Sequence, residues 1–237
     1  MFNSQKLHGL YKEIQNCHVC PRMDREKSLR WLDAVSPDSD VFIISQALAE
    51  NQLRKSGVNF FRTDGSLGST GSSLEQFLNK FNRTVYPDHE VKISGSLTIP
   101  RCNPHYKPVY NTEIAQCYPG KNPTKKGDRK PSGDEIQDCI RKYFLMNEIM
   151  IIQPKLLLLM GKASRDSFFD YFLNAAYPPS LSDHISEIIQ IGKIPAFVVG
   201  GLTLPVLPIQ HASGANPRFQ SMINDNRLLE LIIGVLE

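Results

Sequence analysis

Short apolar runs alternate along this chain with longer stretches in which apolar residues recur at helical spacing. Strands alternating with helices in this way favour a mainly parallel sheet that is covered by helices on both faces. No segment reads as a long linker, so residues 1–237 are expected to form a single domain. Strands are predicted at residues 41–44, 109–115, 155–160, 196–199 and 206–209, and helices at residues 5–16, 72–81, 133–152, 164–173 and 218–236.

Composition narrows the class of protein. Of the 237 residues, 41% are hydrophobic and 22% are charged, which is typical of a globular chain with its own core. No apolar run approaches the length of a membrane span, and the first residues lack the apolar segment of a secretory signal. We therefore expect a cytoplasmic protein with reduced thiols. The net charge of +3 permits nucleic-acid binding without requiring it.

The cysteines are the first candidate for chemistry. Cys17 and Cys20 form a CxxC pair, Cys117 follows a predicted strand, and Cys139 lies in a predicted helix. Four thiolates suit an iron–sulfur cluster or a zinc ion, and their spacing does not separate the two. The alternative is a set of buried, incidental thiols. Cys102 has no evident partner, although it competes with Cys117 as a possible ligand.

Two further segments follow predicted strands, where α/β folds carry their reactive groups. In the segment from His211 to Arg218, small residues allow a close approach to a ligand, and Arg218 is suited to a phosphate. The alternative is a helix-capping loop with a hydrogen-bonded histidine. In the segment from Ser45 to Phe61, an aromatic ring can stack on a flat ligand such as a base. The alternative is that Phe60 and Phe61 belong to the core.

Taken in order, these segments resemble the uracil-DNA glycosylase superfamily, and within it the iron–sulfur (family 4-like) branch most closely. The resemblance extends from about Leu7 to Arg218. It rests on the segments 17–21 (CHVCP), 41–49 (VFIISQALA), 59–61 (NFF), 117–122 (CYPGKN), 154–161 (PKLLLLMG) and 211–213 (HAS), together with Cys139.

The resemblance implies a three-layer α/β/α fold around a mainly parallel four-stranded sheet, and a monomeric enzyme that excises a damaged base from DNA. His211 would donate a hydrogen bond to the base oxygen, and Phe60 would stack on the base. The loop with Ser213, Asn216 and Arg218 would contact DNA. Cys17, Cys20, Cys117 and Cys139 would hold a 4Fe–4S cluster, with zinc as the alternative.

The chain departs from the family pattern at its polar positions. Gln46 stands where the family has an acidic residue, and Ala47 stands where its best-known branch has an aspartate. Glu113 replaces an asparagine that reads uracil. Asn111 and Glu113 share one face of a strand, so our hypothesis is that Asn111 reads the base while Glu113 supplies the missing acid. The alternative is that Glu113 pairs with a cation.

The segment between Cys117 and Cys139 is longer than in the family and carries several basic residues, including Lys125 and Lys126. We predict that these lysines track DNA phosphates, and the alternative is a solvated loop. Three functions remain open: a glycosylase for uracil or another deaminated base, a superfamily member that binds DNA or a modified nucleotide without cleavage, and a zinc-stabilised protein unrelated to repair.

Overall fold

A computed structural model describes residues 2–20, 36–47, 58–94, 97–125 and 127–237. These residues contain a central sheet of five strands and four shorter strands. All strands are numbered in chain order. The central strands are β1 (Val41–Ala47), β6 (Tyr110–Ala115), β7 (Leu156–Met160), β8 (Ala196–Val199) and β9 (Leu202–Ile209). The shorter strands are β2 (Arg83–Thr84), β3 (Val91–Ser94), β4 (Leu97–Ile99) and β5 (Lys107–Pro108), which pair as β2 with β5 and β3 with β4.

The central sheet runs in the order β6-β1-β7-β9-β8. All its pairs are parallel except β8 with β9, so the mainly parallel sheet is confirmed, with five strands where four were predicted. The extra strand is an antiparallel edge strand that is only partly buried: Val198 is 70% exposed. Such an edge is common on an otherwise parallel sheet.

Helices cover both faces, which confirms the predicted three-layer arrangement. Alternate strand residues serve the two faces: Val41 and Ile43 join one core cluster, while Phe42 and Ile44 join the other. The helices are α1 (Phe2–Gln15), α2 (Ser69–Leu78), α3 (Gly133–Arg141), α4 (Phe144–Ile152), α5 (Lys162–Phe168), α6 (Leu181–Ile191), α7 (Pro217–Ile223) and α8 (Asn226–Leu236). A 3-10 turn (Asn79–Phe81) follows α2, and a π-helical segment (Phe169–Leu173) follows α5.

Two predicted helices are each divided in two. The helix predicted at residues 133–152 breaks at Tyr143, whose φ of 55° lies in the left-handed region. The helix predicted at residues 218–236 breaks before α8, where the Asp225 side chain accepts a hydrogen bond from the Leu228 N–H at 3.0 Å. That contact caps the start of α8. The sequence pattern did not predict α6.

The parallel strands bring their carboxyl ends to one edge of the sheet. Ala47 at the end of β1 pairs with Ala115 at the end of β6, and Met160 of β7 pairs with Ile209 of β9. The segments that follow these strands therefore meet at this edge. Among the residues described above, no helix has both the length and the apolar character of a membrane span.

Candidate functional site

A cavity of about 810 Å³ opens at the carboxyl edge of the sheet. Five side chains to which we assigned a catalytic or base-binding role line this one cavity: Gln46, Ala47, Phe60, Glu113 and His211. They come from four separate parts of the chain, and the fold brings them together. The rest of the lining is formed by Ser45, residues 61–63, residues 68–71, Lys130 and residues 160–163.

Glu113 lines the cavity and is linked by hydrogen bonds to Asn59 and through it to Asn111, and neither of these asparagines is among the lining residues. Glu113 is 5% exposed, and its Oε1 accepts a hydrogen bond from Asn59 Nδ2 at 3.1 Å. The same Nδ2 donates to Asn111 Oδ1 at 2.9 Å. Asn111 and Glu113 therefore point to the same side of β6, as predicted from strand alternation. Asn59 begins the segment NFF, and its position next to Phe60 is the only feature of the sequence that indicates its importance.

Two atoms of this cluster are buried without a hydrogen-bond partner among the residues that the structure describes: Glu113 Oε2 and Asn59 Oδ1. Buried polar atoms without a partner are uncommon, because each loses its hydration without compensation. Glu113 also makes no ion pair with any residue that the structure describes. The alternative that Glu113 pairs with a cation therefore finds no support among these residues. An unpartnered oxygen on a cavity-lining residue is a point where a ligand can bind.

Burial raises the pKa of Glu113 to about 8, although the hydrogen bond from Asn59 acts in the opposite direction. The charge of Glu148, a buried residue of α4, adds to the increase. At pH 7 the Glu113 carboxyl group is therefore mostly protonated. A protonated acid is a hydrogen-bond donor and cannot serve as a general base, which weakens the hypothesis that Glu113 replaces the missing acid.

Phe60 is held in an unusual backbone conformation, with a φ of 70°. Its carbonyl oxygen accepts a hydrogen bond from the Gly68 N–H at 2.8 Å. A Cβ on Gly71 would lie 2.7 Å from that oxygen and 2.9 Å from Phe60 Cβ, so glycine is required there. The ring is 5% exposed and belongs to a core cluster, yet it lines the cavity. Both interpretations of Phe60, core residue and stacking surface, agree with this position.

His211 lies across the cavity on the loop that follows β9. Gly161 faces it so closely that an added Cβ would lie 3.4 Å from His211 Cβ. Partial burial lowers the pKa of His211, which keeps the ring neutral at pH 7 and leaves one ring N–H to donate. Asn216 fixes the loop, because its Nδ2 donates to the His211 carbonyl at 3.0 Å and its Oδ1 accepts from the Arg218 N–H at 3.1 Å.

The second of these contacts makes Asn216 the N-cap of α7. The helix-capping interpretation of this loop therefore holds for Asn216, while His211 faces the cavity. Of the other residues predicted to contact DNA here, Ser213 is half-buried and Arg218 is exposed at the start of α7. Gln46 and Ala47 end β1 and are half-buried.

Three of the four predicted metal ligands are packed together beside the cavity. Cys20, Cys117 and Cys139 form a buried cluster with Ala115, and Ala47 packs against it. The fourth, Cys17, is half-buried, and its charge is among the causes that raise the pKa of Cys20. Cys102 lies apart from this group and donates from Sγ to the Tyr106 carbonyl at 3.7 Å.

The donor set fits a thiolate-bound group in its chemistry. Burial, together with the nearby Cys20 and Cys117, raises the pKa of Cys139 to about 12, so the thiols lie in a site where ionisation requires a compensating positive charge. Within the described ranges, no three His, Cys, Asp or Glu side chains are grouped so that they could hold a single metal ion.

The basic segment between Cys117 and Cys139 divides into paired and exposed residues. Arg129 donates to both Glu135 oxygens at 2.7 and 2.8 Å, and Lys121 contacts Asp128 at 3.1 Å. Lys125 is exposed, and Lys130 lines the cavity. Lys126 lies outside the described residues. The segment thus contains ion pairs that stabilise its fold, a lysine exposed to solvent (Lys125) and a lysine at the cavity (Lys130).

A protein-family model described as "Uracil DNA glycosylase superfamily" matches residues 32–231. The match includes every residue that lines the cavity, as well as Cys117 and Cys139. Cys17 and Cys20 precede the matched range. No curated protein matches the chain.

Proposed function

The chain belongs to the uracil DNA glycosylase superfamily, and from this premise we propose that it hydrolyses the N-glycosidic bond of uracil or another deaminated base in DNA. The observation that carries the proposal is the shared cavity, in which Phe60, Glu113 and His211 converge from three segments. An aromatic surface and two polar groups around one cavity form a suitable receptor for an extruded base.

The proposed reaction places negative charge on the departing base while the sugar becomes cationic. The neutral ring of His211 donates a hydrogen bond toward the base oxygen and so stabilises that charge in the transition state. Phe60 holds the base by stacking. Gln46, at the end of β1, orients the attacking water through its amide, which positions a nucleophile without deprotonating it.

We place the chain in the iron–sulfur branch of the superfamily as part of the same proposal. Cys17, Cys20, Cys117 and Cys139 would hold a 4Fe–4S cluster through their thiolates. The contact between the cysteine cluster and Ala47 supports a structural role, because Ala47 also lines the cavity. The group would brace the ends of β1 and β6, and zinc is the alternative occupant.

A second candidate function is recognition of DNA or a modified nucleotide without cleavage. It is favoured by two observations: Gln46 stands where the family pattern has an acid, and burial keeps Glu113 protonated. Neither residue is then a general base at neutral pH. The cavity would bind a base, and its glycosidic bond would remain intact.

An excision assay separates the two candidates. Purified protein is incubated with oligonucleotides that carry uracil, hypoxanthine or xanthine, and abasic sites are detected by alkaline cleavage. We expect cleavage of at least one substrate and a loss of about 100-fold or more in His211→Ala, the order expected for removal of a donor to a developing anion. Retention of a base-specific complex with no abasic sites would support recognition without cleavage.

A further inference from the structure

We infer that Glu113 acts as a neutral hydrogen-bond donor that selects bases with a carbonyl oxygen over their amino counterparts. The inference rests on the proposed function and deepens it, because it names the residue that distinguishes a deaminated base from its parent. It replaces the hypothesis that Glu113 supplies the missing acid. The geometry of the Asn59–Glu113 pair is the basis for it.

The position of the Glu113 proton follows from its contacts. Oε1 already accepts the Asn59 N–H, so in the neutral acid Oε1 serves as the carbonyl oxygen. The proton then resides on Oε2, the buried oxygen without a partner among the described residues. Asn59 thereby fixes which oxygen donates. The Oε2–H group is left for a ligand in the cavity.

Among the residues that the structure describes, no cation forms an ion pair with this carboxyl group. Arg62, Lys130, Lys162 and His211 also line the cavity, but the pKa of Glu113 is set by desolvation, the Asn59 hydrogen bond and the charge of Glu148. Lys162 is paired with Asp166. Glu148 is itself buried in α4 and accepts hydrogen bonds from residues on the other face of β6. The nearby charge of Glu148 favours the protonated form of Glu113.

A donor at this point distinguishes bases by the group that deamination changes. Uracil, hypoxanthine and xanthine carry a carbonyl oxygen where cytosine, adenine and guanine carry an amino group. The Oε2–H of Glu113 can donate to the oxygen, whereas it opposes the N–H groups of an amino substituent. An ionised Glu113 would reverse this preference, because a carboxylate accepts hydrogen bonds and repels an anionic base.

The test measures binding rather than cleavage. Two oligonucleotides, identical except for uracil or cytosine at one position and carrying a 2′-fluoro sugar that resists hydrolysis, are titrated with the whole protein and followed by fluorescence anisotropy. At about pH 6.5 we expect a preference for uracil of roughly tenfold or more, as one buried hydrogen bond provides. At about pH 8.8, above the pKa of Glu113, we expect most of it to be lost.

Glu113→Gln is the matched variant. Asn59 holds the Gln oxygen at the Oε1 position, so the amide N–H₂ faces the cavity and donates at every pH. This variant should keep the preference at about pH 8.8, and any residual loss measures the titration of uracil itself. Glu113→Ala should lose the preference at both pH values. The wild-type pH profile needs no variant, so a misfolded mutant does not remove the test.

Two results would overturn the inference while leaving the proposed function in place. One is a uracil preference in the wild type that does not change with pH, and the other is a preference that survives in Glu113→Ala. A protein that discriminates no base at either pH and forms no abasic sites would overturn the proposed function as well, so the two failures are distinguishable.

Discussion

Asn59 donates a hydrogen bond to Glu113, which lines the cavity, and the two residues are 54 positions apart in the chain. Asn59→Ala would leave Glu113 Oε1 and Asn111 Oδ1 buried without this donor. We expect the free energy of unfolding to fall by about 2–3 kcal/mol, the order of cost for unsatisfied buried acceptors. Urea denaturation at pH 6.5 measures it.

A control for this substitution is Asn103→Ala. Asn103 Oδ1 accepts from the His105 N–H at 3.0 Å, but in an exposed turn where water replaces the lost bond. Asn103→Ala should lower the free energy of unfolding by no more than about 0.5–1 kcal/mol. Equal costs for the two variants would contradict a buried polar cluster. Since the Asn59 hydrogen bond lowers the pKa of Glu113, Asn59→Ala should also raise the pH at which uracil preference is lost.

Gly71→Ala tests whether the backbone of Phe60 must be held as the structure has it. The added methyl group would meet the Phe60 carbonyl at 2.7 Å and displace the ring from the cavity. We expect a loss of about 1–3 kcal/mol in unfolding free energy and a weaker complex with uracil-containing oligonucleotides. Both are measured on the same preparation, by urea denaturation and by anisotropy.

Gly234→Ala is the matched control, because Gly234 also lies within a helix but has no atom within 4 Å of an added Cβ. That substitution should raise stability by about 1 kcal/mol through helix propensity and leave DNA binding unchanged. If both glycine variants behave alike, the close approach to Phe60 does not constrain the site.

The parts of this fold that were predictable are those determined by neighbouring residues in the sequence, such as an unbroken apolar run. The runs that became β1 and β7 are fully buried, and the carboxyl edge of the sheet follows from their parallel arrangement. The break at Tyr143 was not predictable, because a tyrosine in the left-handed region gives no sequence signal. The extra edge strand β8 gave an apolar run, but its pairing direction depends on contacts that the run does not specify.

In the candidate site, too, the residues themselves were predictable from local motifs, whereas their contacts and protonation were not. Motif order located His211, Phe60 and Glu113, which line the cavity. The link from Asn59 to Glu113 depends on a contact over 54 positions, and the protonation of Glu113 depends on burial that only the packed fold creates. The sequence therefore identified the positions of His211, Phe60 and Glu113. It led us to expect an ionised Glu113, as in water, whereas burial in the fold keeps this group protonated.

Stability should fall as the pH rises, because two buried carboxyl groups gain protons on folding. Burial raises the pKa values of Glu113 and Glu148 to about 8, well above those of the unfolded chain. Each contribution is fully present below about pH 4.5 and is lost up to about pH 8, with a slope of at most about 1.4 kcal/mol per pH unit for each group. Urea denaturation at several pH values measures this slope.

The double variant Glu113→Gln/Glu148→Gln removes both titrating groups while keeping their shape. Its unfolding free energy should depend less on pH between about 5 and 8 than that of the wild type. The hydroxyls of Tyr110 and Thr112, which now donate to Glu148, can reorient toward a glutamine. Identical slopes in the two proteins would show that neither carboxyl group is protonated in the fold.

Removal of a single cysteine tests the proposed cluster. After anaerobic reconstitution we expect about four iron atoms per chain and broad absorption near about 400 nm. Cys139→Ser should lose both, because Cys139 belongs to the buried cluster with Cys20 and Cys117. Cys102→Ser, also buried but outside that group, should keep both. Stoichiometric zinc with no absorption in either preparation would favour the zinc alternative.

The exposed lysines of the segment before α3 should contribute to DNA affinity through phosphate contacts. Lys125 is exposed and Lys130 lines the cavity, whereas Arg129 is paired with Glu135. The double variant Lys125→Gln/Lys130→Gln should lower the slope of log affinity against log salt by about 1–2, since each phosphate contact contributes slightly less than one. Lys80→Gln makes the same kind of charge change just beyond the far end of α2, and its slope should match the wild type. A double variant with an unchanged slope would mean that this segment is a solvated surface.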